Sequence, residues 1–279
     1  MRVAFQGEIG SFSDDAIQQL WGAGVDRVPS RDFADVTGAV ASGGADLGLL
    51  PIENTIVGSV AGSHDAIAAV PELFVVAETI VPVHHCLLVA PGTKFEQVTT
   101  VLSHPVALAQ CGRFFGQNPR LEVHAVYDTA GAAMDVSRVA DPTIAAVASR
   151  RAAAHYGLEI LRDRIEDRPD NQTRFLAIAR APETLPAGTA ARTMVVIRTA
   201  DHAGSLLGAL APLARHGVNI RRLEARPTGE PWTYLFFMEF DHLAGDELAA
   251  RVVNDIKMAA AGTRVLGTYP RWRPDSDPE

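Results

Sequence analysis

Short apolar runs alternate with stretches of helical periodicity through the first two-thirds of the chain. Val3-Ala4-Phe5 precedes a helix over 13–21, and a helix over 32–41 leads into Asp46-Leu47-Gly48-Leu49-Leu50. The runs 98–102, 122–126 and 144–148 each lead into a helix, starting near Pro105, Thr129 and Ser149. Alternation of this kind predicts a mostly parallel sheet with helices on both faces. Two adjacent strand-like runs, 75–81 and 86–89, predict a crossover from a first α/β lobe into a second, with the chain returning over 160–175. The expected shape is two lobes with a cleft between them.

A linker follows at 181–191, carrying Pro182, Pro186 and Gly188 and no periodicity. Beyond it the pattern changes to a strand over 193–198, then a helix over 204–216 with Leu206, Leu207, Leu210 and Leu213 at helical spacing. Strands over 218–226 and 233–240 flank a Pro227-Thr228-Gly229-Glu230-Pro231 turn, and a helix over 247–261 leads to a last strand over 264–269. The order βαββαβ in about eighty residues is a ferredoxin-like unit. The predicted organisation is therefore a first domain over 1–180, a linker over 181–191, a ferredoxin-like domain over 192–270 and a disordered tail over 271–279. Within the first domain, lobe one takes about 1–80 and 160–180 and lobe two 81–159.

Composition narrows the partners. The chain has 279 residues, 47% of them hydrophobic, enough for a sizeable core. Its net charge of −8 argues against nucleic acid or an anionic membrane as the main partner. No apolar run reaches the ~18 residues of a membrane span, and the first residues enter a strand with no signal-peptide pattern ahead of it. Cys86 and Cys111 are too few for a disulfide framework and lack metal-ligand spacing, which suits a reducing cytosol. A soluble cytoplasmic protein is expected.

The residues that could carry chemistry cluster at strand ends. Asp170-Asn171-Gln172-Thr173-Arg174-Phe175 sets a hydroxyl, a guanidinium and an aromatic ring at the mouth of an apolar strand. Arg174 can grip a carboxylate in two-point fashion; Phe175 offers a flat apolar wall, and Thr173 a donor for a leaving oxygen. In open α/β sheets ligands bind beyond the carboxyl ends of the strands, where helix N-termini present free N–H groups. At those points stand Ser11, Glu53-Asn54-Thr55, Ser103-His104, Asp128-Thr129 and Ser149. Each serine or threonine is also an ordinary helix cap by itself, and Glu53 fits a turn acid as well as a catalytic carboxylate. Gly7 and Gly10 lack the further glycine of a dinucleotide fingerprint, and no P-loop or nucleophile elbow occurs. His84 and His85 are adjacent, so on a strand they point to opposite faces and cannot share a metal; one is expected buried and the other exposed.

Gly10-Ser11-Phe12-Ser13, Pro51-Ile52-Glu53-Asn54-Thr55 with Gly58 and Val60, Ser103-His104-Pro105 with Gln110-Cys111, Ala148-Ser149 with Tyr156-Gly157-Leu158, and Asn171-Gln172-Thr173-Arg174-Phe175 occur in that order. With the trailing ferredoxin-like unit, the chain over roughly 1–270 closely resembles the prephenate dehydratases, whose catalytic domain precedes an ACT regulatory domain.

The resemblance implies a periplasmic-binding-protein-like catalytic domain followed by an ACT domain. It implies decarboxylative dehydration of prephenate to phenylpyruvate in phenylalanine biosynthesis, by a carbon–oxygen lyase that needs no cofactor or metal. Loss of CO2 and hydroxide aromatises the ring, so the driving force lies in the substrate. By the resemblance Thr173, Arg174 and Ser103 carry the catalysis, while Ser11, Glu53, Asn54, Thr55, Gln110, Asp128, Asn171 and Phe175 line the substrate site. In the ACT domain Gly204, Ser205, Leu206, Asn219, Glu224, Ala225, Arg226 and Pro227 are the implied effector site for L-phenylalanine, at the interface of a homodimer or tetramer. Some positions depart from the commoner family forms: Phe12 replaces tyrosine, Thr55 serine, Ser205 alanine, and Ala225 the serine of a Glu-Ser-Arg-Pro segment. Two other function classes stay open on the residues alone: a non-catalytic small-anion binding protein, and a hydrolase of small esters or lactones, as main or side activity, using Ser103, His104 or another histidine.

Overall fold

The computed structural model describes residues 1–273; residues 274–279, and with them most of the disordered tail expected after Pro270, lie outside the described residues. What precedes them is tied down: the Arg271 N–H donates to the Ala190 carbonyl and the Trp272 N–H to the Glu78 carboxylate.

The elements run β1 (Arg2–Gln6), α1 (Phe12–Trp21), β2 (Asp26–Ser30), α2 (Phe33–Ala41), β3 (Leu47–Asn54), β4 (Gly58–Ser59), α3 (Ala61–Ala69), β5 (Phe74–Pro82) and β6 (Cys86–Val89). They continue as β7 (Thr100–Ser103), α4 (Pro105–Ala109), α5 (Gly112–Gln117), β8 (Glu122–Ala125), α6 (Thr129–Val139), β9 (Ile144–Ala148), α7 (Arg150–Tyr156), β10 (Glu159–Arg162) and β11 (Gln172–Ala179). After the linker come β12 (Ala190–Arg198), α8 (Ser205–Arg215), β13 (Ile220–Pro227), β14 (Tyr234–Leu243), α9 (Glu247–Ala259) and β15 (Gly262–Pro270). They form a six-stranded sheet ordered β2-β1-β3-β11-β5 with β4 paired to β3, a five-stranded sheet ordered β10-β6-β9-β7-β8, and a four-stranded sheet ordered β13-β14-β12-β15.

By its internal contacts the chain divides into two compact units. The first comprises Met1–Val36, Leu49–Ser59 and Thr79–Phe175. Its five-stranded sheet is covered on both faces, as the alternating small apolar residues require. Cys86, Leu88, Ala146 and Ala148 pack beneath α6 and α7, while Leu87, Val89, Ala145 and Val147 meet Val98, Ala107 and Cys111 on the other side. The expected parallel pairing holds for β1–β2, β7–β8 and β7–β9. It fails at β6, which runs against both β9 and β10.

The second unit comprises Thr37–Gly48, Val60–Glu78 and the chain from Leu176 onward. Its four-stranded sheet pairs antiparallel throughout, the arrangement expected of a βαββαβ unit. Leu213 of α8 and Val252 and Ile256 of α9 close over Val195, Ile197, Met238 and Phe240 on one face. On the other face lie Phe237 and α3: the fully buried His64 ring meets Phe237 edge-on at 5.1 Å. The Arg264 guanidinium donates to the Ala68, Val70 and Leu73 carbonyls at the end of α3, at 3.2, 2.9 and 2.9 Å, satisfying acceptors a helix terminus leaves open. The pairing starts at Ala190, so the linker ends just before it.

Candidate active site

Four side chains that are distant in sequence converge at the carboxyl end of β3 and the start of β11, all within the first unit. β3 runs four residues past the apolar stretch and delivers Asn54 as its last residue. The Asn54 carboxamide oxygen accepts from the Ile56 and Val57 N–H groups at 2.9 and 3.0 Å, which fixes which way the amide faces. Its nitrogen then donates to Asn171 Oδ1 at 2.8 Å and Thr173 Oγ1 at 2.9 Å, with the Gln172 carbonyl at 3.0 Å. Asn171, fully buried, passes its own nitrogen to Gln110 Oε1 at 3.0 Å. Among the described residues the Thr173 hydroxyl finds no acceptor for its own proton.

Thr55 clamps the approach to β11: its hydroxyl donates to the Asp170 carbonyl and accepts from the Gln172 N–H, both at 3.0 Å. Thr55 therefore holds the turn that presents Thr173. Glu53 sits half-buried on β3 opposite Ser59 of β4.

The helix starts are tied to one another. Ser11 caps α1, accepting weakly from the Asp14 N–H at 3.4 Å. Ser149 caps α7 and sends its hydroxyl to the Gly10 carbonyl at 2.5 Å. Gly10 lies at φ +90°, and a Cβ there would stand 2.8 Å from Ala152 Cα, so only glycine permits this approach. Arg151 bridges to Asp15 at 2.5 Å; burial still raises the Asp15 carboxyl above its ordinary range, with Arg151 opposing that shift. Asp128 caps α6 through Gly131 at 3.0 Å and takes the Glu8 N–H at 3.4 Å.

Three further implied site residues are buried. Ser103 is fully buried and its hydroxyl donates to the Val147 carbonyl at 2.6 Å, a bond between neighbouring strands of the five-stranded sheet. Arg174, 9% exposed, follows Thr173 on β11 and so takes the opposite face of the strand. Phe175 shares the face of Thr173 but is 2% exposed, which makes it a core side chain and not the wall of an open pocket. The sequence brings Thr173, Arg174 and Phe175 together along the chain; strand alternation and burial separate them in space.

His85 was not among the implied site residues. It is buried, as one of the two adjacent histidines is expected to be, and its Nε2 lies 2.8 Å from Gln110 Oε1. His84 is half-buried and holds Glu166 at 2.7 Å. The pair lies not on a strand but in the link between β5 and β6, so strand alternation does not account for which imidazole is inside. Two cavities border residues touching this network. One of about 320 Å³ is lined by Ile56, Val57, Val106, Gln110, Asp167 and Arg168, and one of about 180 Å³ by Phe12, His84, Ser149 and Arg164 among others. Arg168, missed in sequence, is paired at two points with Asp170 at 3.0 and 2.6 Å.

In the second unit the implied effector residues divide. Gly204, at φ +87°, starts α8, and Ser205 bonds to His202 at its carbonyl and ring nitrogen, both 2.9 Å. Leu206 packs half-buried against the ACT core, and Asn219 is exposed ahead of β13. Along β13 Glu224 and Arg226 are half-buried while Ala225 and Pro227 are exposed, the alternation of a strand. Arg226 reaches Asp65 of α3 through two bonds of 3.0 and 2.8 Å.

An α/β region with a polar constellation at its strand ends, followed by a ferredoxin-like unit, defines an enzyme of mixed α/β fold with a C-terminal ACT module. The prephenate dehydratase profile matches residues 3–183 and the ACT profile residues 193–257. A curated relative, arogenate dehydratase/prephenate dehydratase 2, chloroplastic, from Arabidopsis thaliana, is 35% identical over 97% of this chain and 73% of its own length. The solved structure of a prephenate dehydratase in complex with L-Phe from Arthrobacter aurescens is 33% identical, with a TM-score of 0.89 over 97% of this chain and 90% of that one. A solved chain described as GqqA, a novel type of quorum quenching acylase, is 35% identical, with a TM-score of 0.88 over 97% and 98%. The chain belongs to the prephenate dehydratase family. Among the described residues no helix is long and apolar enough to cross a membrane, and no cluster of histidine, cysteine and acidic side chains is placed to hold a metal.

Proposed function

We propose that this chain, as a prephenate dehydratase, uses the Thr173 hydroxyl as the donor to the departing ring oxygen of prephenate. The observation that carries this is the Asn54–Thr173 bond: the lone-pair side of Oγ is occupied at 2.9 Å, so the hydroxyl proton is turned elsewhere. In the reaction the bond to the ring carboxylate breaks, CO2 departs, and its electron pair enters the ring. The carbon–oxygen bond on the opposite carbon breaks with it, the oxygen leaving as hydroxide or, with a proton, water. A carbon–oxygen lyase of this kind has only to hold a dianion and assist the leaving oxygen. Threonine is a weak acid, so its contribution lies within the ~10²–10⁴-fold range of positioned proton donors.

Helix-start amides near Ser11 are suited to the carboxylates. Ser103 braces β7 against β9, and Gln110 with Asn171 orients Asn54. Asp128 ties α6 to Glu8, and Glu53 keeps β3 against β4.

The ACT unit is the seat of regulation in this reading, with a homodimer or tetramer formed through it and L-phenylalanine as effector; the L-Phe complex of the Arthrobacter aurescens relative supports the choice of ligand. Two buried free cysteines suit a reducing, cytoplasmic compartment. The hydrolase alternative, despite the acylase relative, is not favoured. Ser103 is committed to Val147, and His104 Nδ1 accepts from the Val106 N–H at 3.2 Å, so the two form no nucleophile–base pair.

Phenylpyruvate release from prephenate, with and without phenylalanine, tests the reading. Wild-type protein is expected to turn over and to be suppressed. Thr173→Ala is expected to lose ~10²–10⁴-fold in kcat with KM within a few-fold. Undiminished turnover in that variant would remove Thr173 from the chemistry.

A further inference from the structure

The buried imidazole of His85 closes a hydrogen-bond chain whose polarity is fixed at its far end. Asn54 Oδ1 accepts from two backbone N–H groups, so its other atom is the NH2. That NH2 makes Asn171 Oδ1 an acceptor and turns the Asn171 NH2 toward Gln110. Gln110 must then present its oxygen, and that oxygen lies 2.8 Å from His85 Nε2. The chain requires the His85 hydrogen on Nε2, and a second hydrogen on the buried Nδ1 would have no acceptor among the described residues, so the ring is the neutral Nε2–H tautomer.

The rest of the residue is pinned. Its N–H donates to Glu166 Oε2 at 2.9 Å, its carbonyl accepts from the Ile165 N–H at 2.9 Å, and Phe12 stands edge-on to the ring at 5.6 Å. Nδ1 is buried and has no hydrogen-bond partner among the described residues. A buried, unpartnered ring nitrogen costs free energy that an apolar side chain of similar size would avoid. Among the described residues the ring's one polar contact is that to Gln110.

We propose that His85 is a positioning residue for the dehydration: its Nε2–H holds the Gln110 oxygen, and through Asn171 and Asn54 it keeps the Thr173 proton turned toward the leaving oxygen. A weakly acidic hydroxyl contributes only when its hydrogen is aimed; the sense of that aim is set by the backbone at Asn54, and His85, four side chains away, holds the intervening amides in place. Burial alone also lowers the imidazole's proton affinity, in keeping with the neutral tautomer. The proposal rests on Thr173 being the donor.

The test is steady-state kinetics on the full chain, with thermal unfolding as a fold control. His85→Leu removes the donor and is expected to lower kcat about 10-fold or more with KM within three-fold, since one hydrogen bond of about 1.4 kcal/mol is ten-fold in rate. His85→Gln places an amide N–H near the position of Nε2 and is expected to restore most of that loss. In a Thr173→Ala background, His85→Leu is expected to add less than two-fold, because there is no hydroxyl left to aim. Unchanged kcat in a folded His85→Leu variant would overturn the proposal, as would equal losses for the leucine and glutamine variants, or full additivity with Thr173→Ala. If the leucine variant does not fold, Gln110→Met cuts the same link from the other side, and unchanged kcat there overturns it equally. Wild-type kcat in Thr173→Ala alone would instead sink the Thr173 reading, and the positioning role with it. A loss in Thr173→Ala without one in His85→Leu leaves Thr173 standing and removes His85.

Discussion

The Asn54 side-chain nitrogen lies 2.9 Å from the Thr173 hydroxyl oxygen, across 119 positions of sequence. The same amide is locked by the Ile56 and Val57 N–H groups, so it can present to Thr173 only a donor.

Asn54→Asp inverts that relationship. One carboxylate oxygen still takes the two backbone N–H groups, while the other becomes an acceptor and captures the Thr173 proton. Turnover is expected to fall ~10²-fold or more while the local turn persists, read as kcat against an unchanged far-UV spectrum. A kcat within two-fold of wild type would show that the hydroxyl's orientation does not matter.

Gly10→Ala probes the packing of the α1 start against α7. The position combines φ +90° with a Cβ that would stand 2.8 Å from Ala152 Cα. Neither backbone can yield without shifting a helix start, so a loss of roughly 2 kcal/mol or more is expected. In a chain of this size that is a drop in Tm of about 4–8 °C. Calorimetry showing an unshifted Tm would mean that the two helix starts do not approach so closely.

Asp65→Asn releases Arg226 from its two-point pair. Under the phenylalanine reading, Asp65 competes with the ligand carboxylate for that guanidinium. Inhibition is then expected at about 3- to 10-fold lower phenylalanine, a gain on the scale of one charge-assisted bond partly screened by solvent. Uninhibited kcat and KM are expected to stay near wild type. Weaker or unchanged inhibition would place the effector away from Arg226.

Buried His64 makes stability fall on acidification. Burial, aided by Arg222, lowers its pKa to about 3, against an ordinary value of 6.5; Arg226 acts in the same direction and Asp65 against it. The unfolded chain therefore takes up a proton below about pH 6.5 that the folded chain refuses until about pH 3. Above pH 6.5 the group contributes no pH dependence; below it, stability drops by up to ~1.4 kcal/mol per pH unit. Urea unfolding at pH 7.5, 6 and 5 should show a shallower loss for His64→Phe than for wild type. Identical slopes would mean that His64 titrates normally in the folded chain.

Much of the frame was legible because the residues that build it also signal it. The runs leading into α4, α6 and α7 are apolar and end at capping residues, so strand and helix start were both visible. The ACT order could be read from one leucine-rich helix and one charged amphipathic helix set among four strands. β2 was harder: Asp26-Arg27-Val28-Pro29-Ser30 has little apolar character, as an edge strand with one neighbour needs little. β3 ran past its apolar part, so Glu53 and Asn54 read as a loop when they belong to the strand end. Asp128, Ser11 and Ser149 read equally as caps or ligand groups, and each makes its cap bond.

By itself the sequence determined most of the element types, a prephenate dehydratase region followed by an ACT region, and several of the polar residues the fold uses. Those follow from local rules, the periodicity of burial and the conformational demands of caps and turns, which act over a few residues. The tertiary structure decided which of those residues share a site. It joined His85, Gln110, Asn171, Asn54 and Thr173 into one directed chain, and it parted Thr173 from Arg174 by a single step of strand alternation. Hydrogen bonds reach about 3 Å and have a direction, so only the folded positions of β3, β11 and the buried His85 could set their partners and their sense.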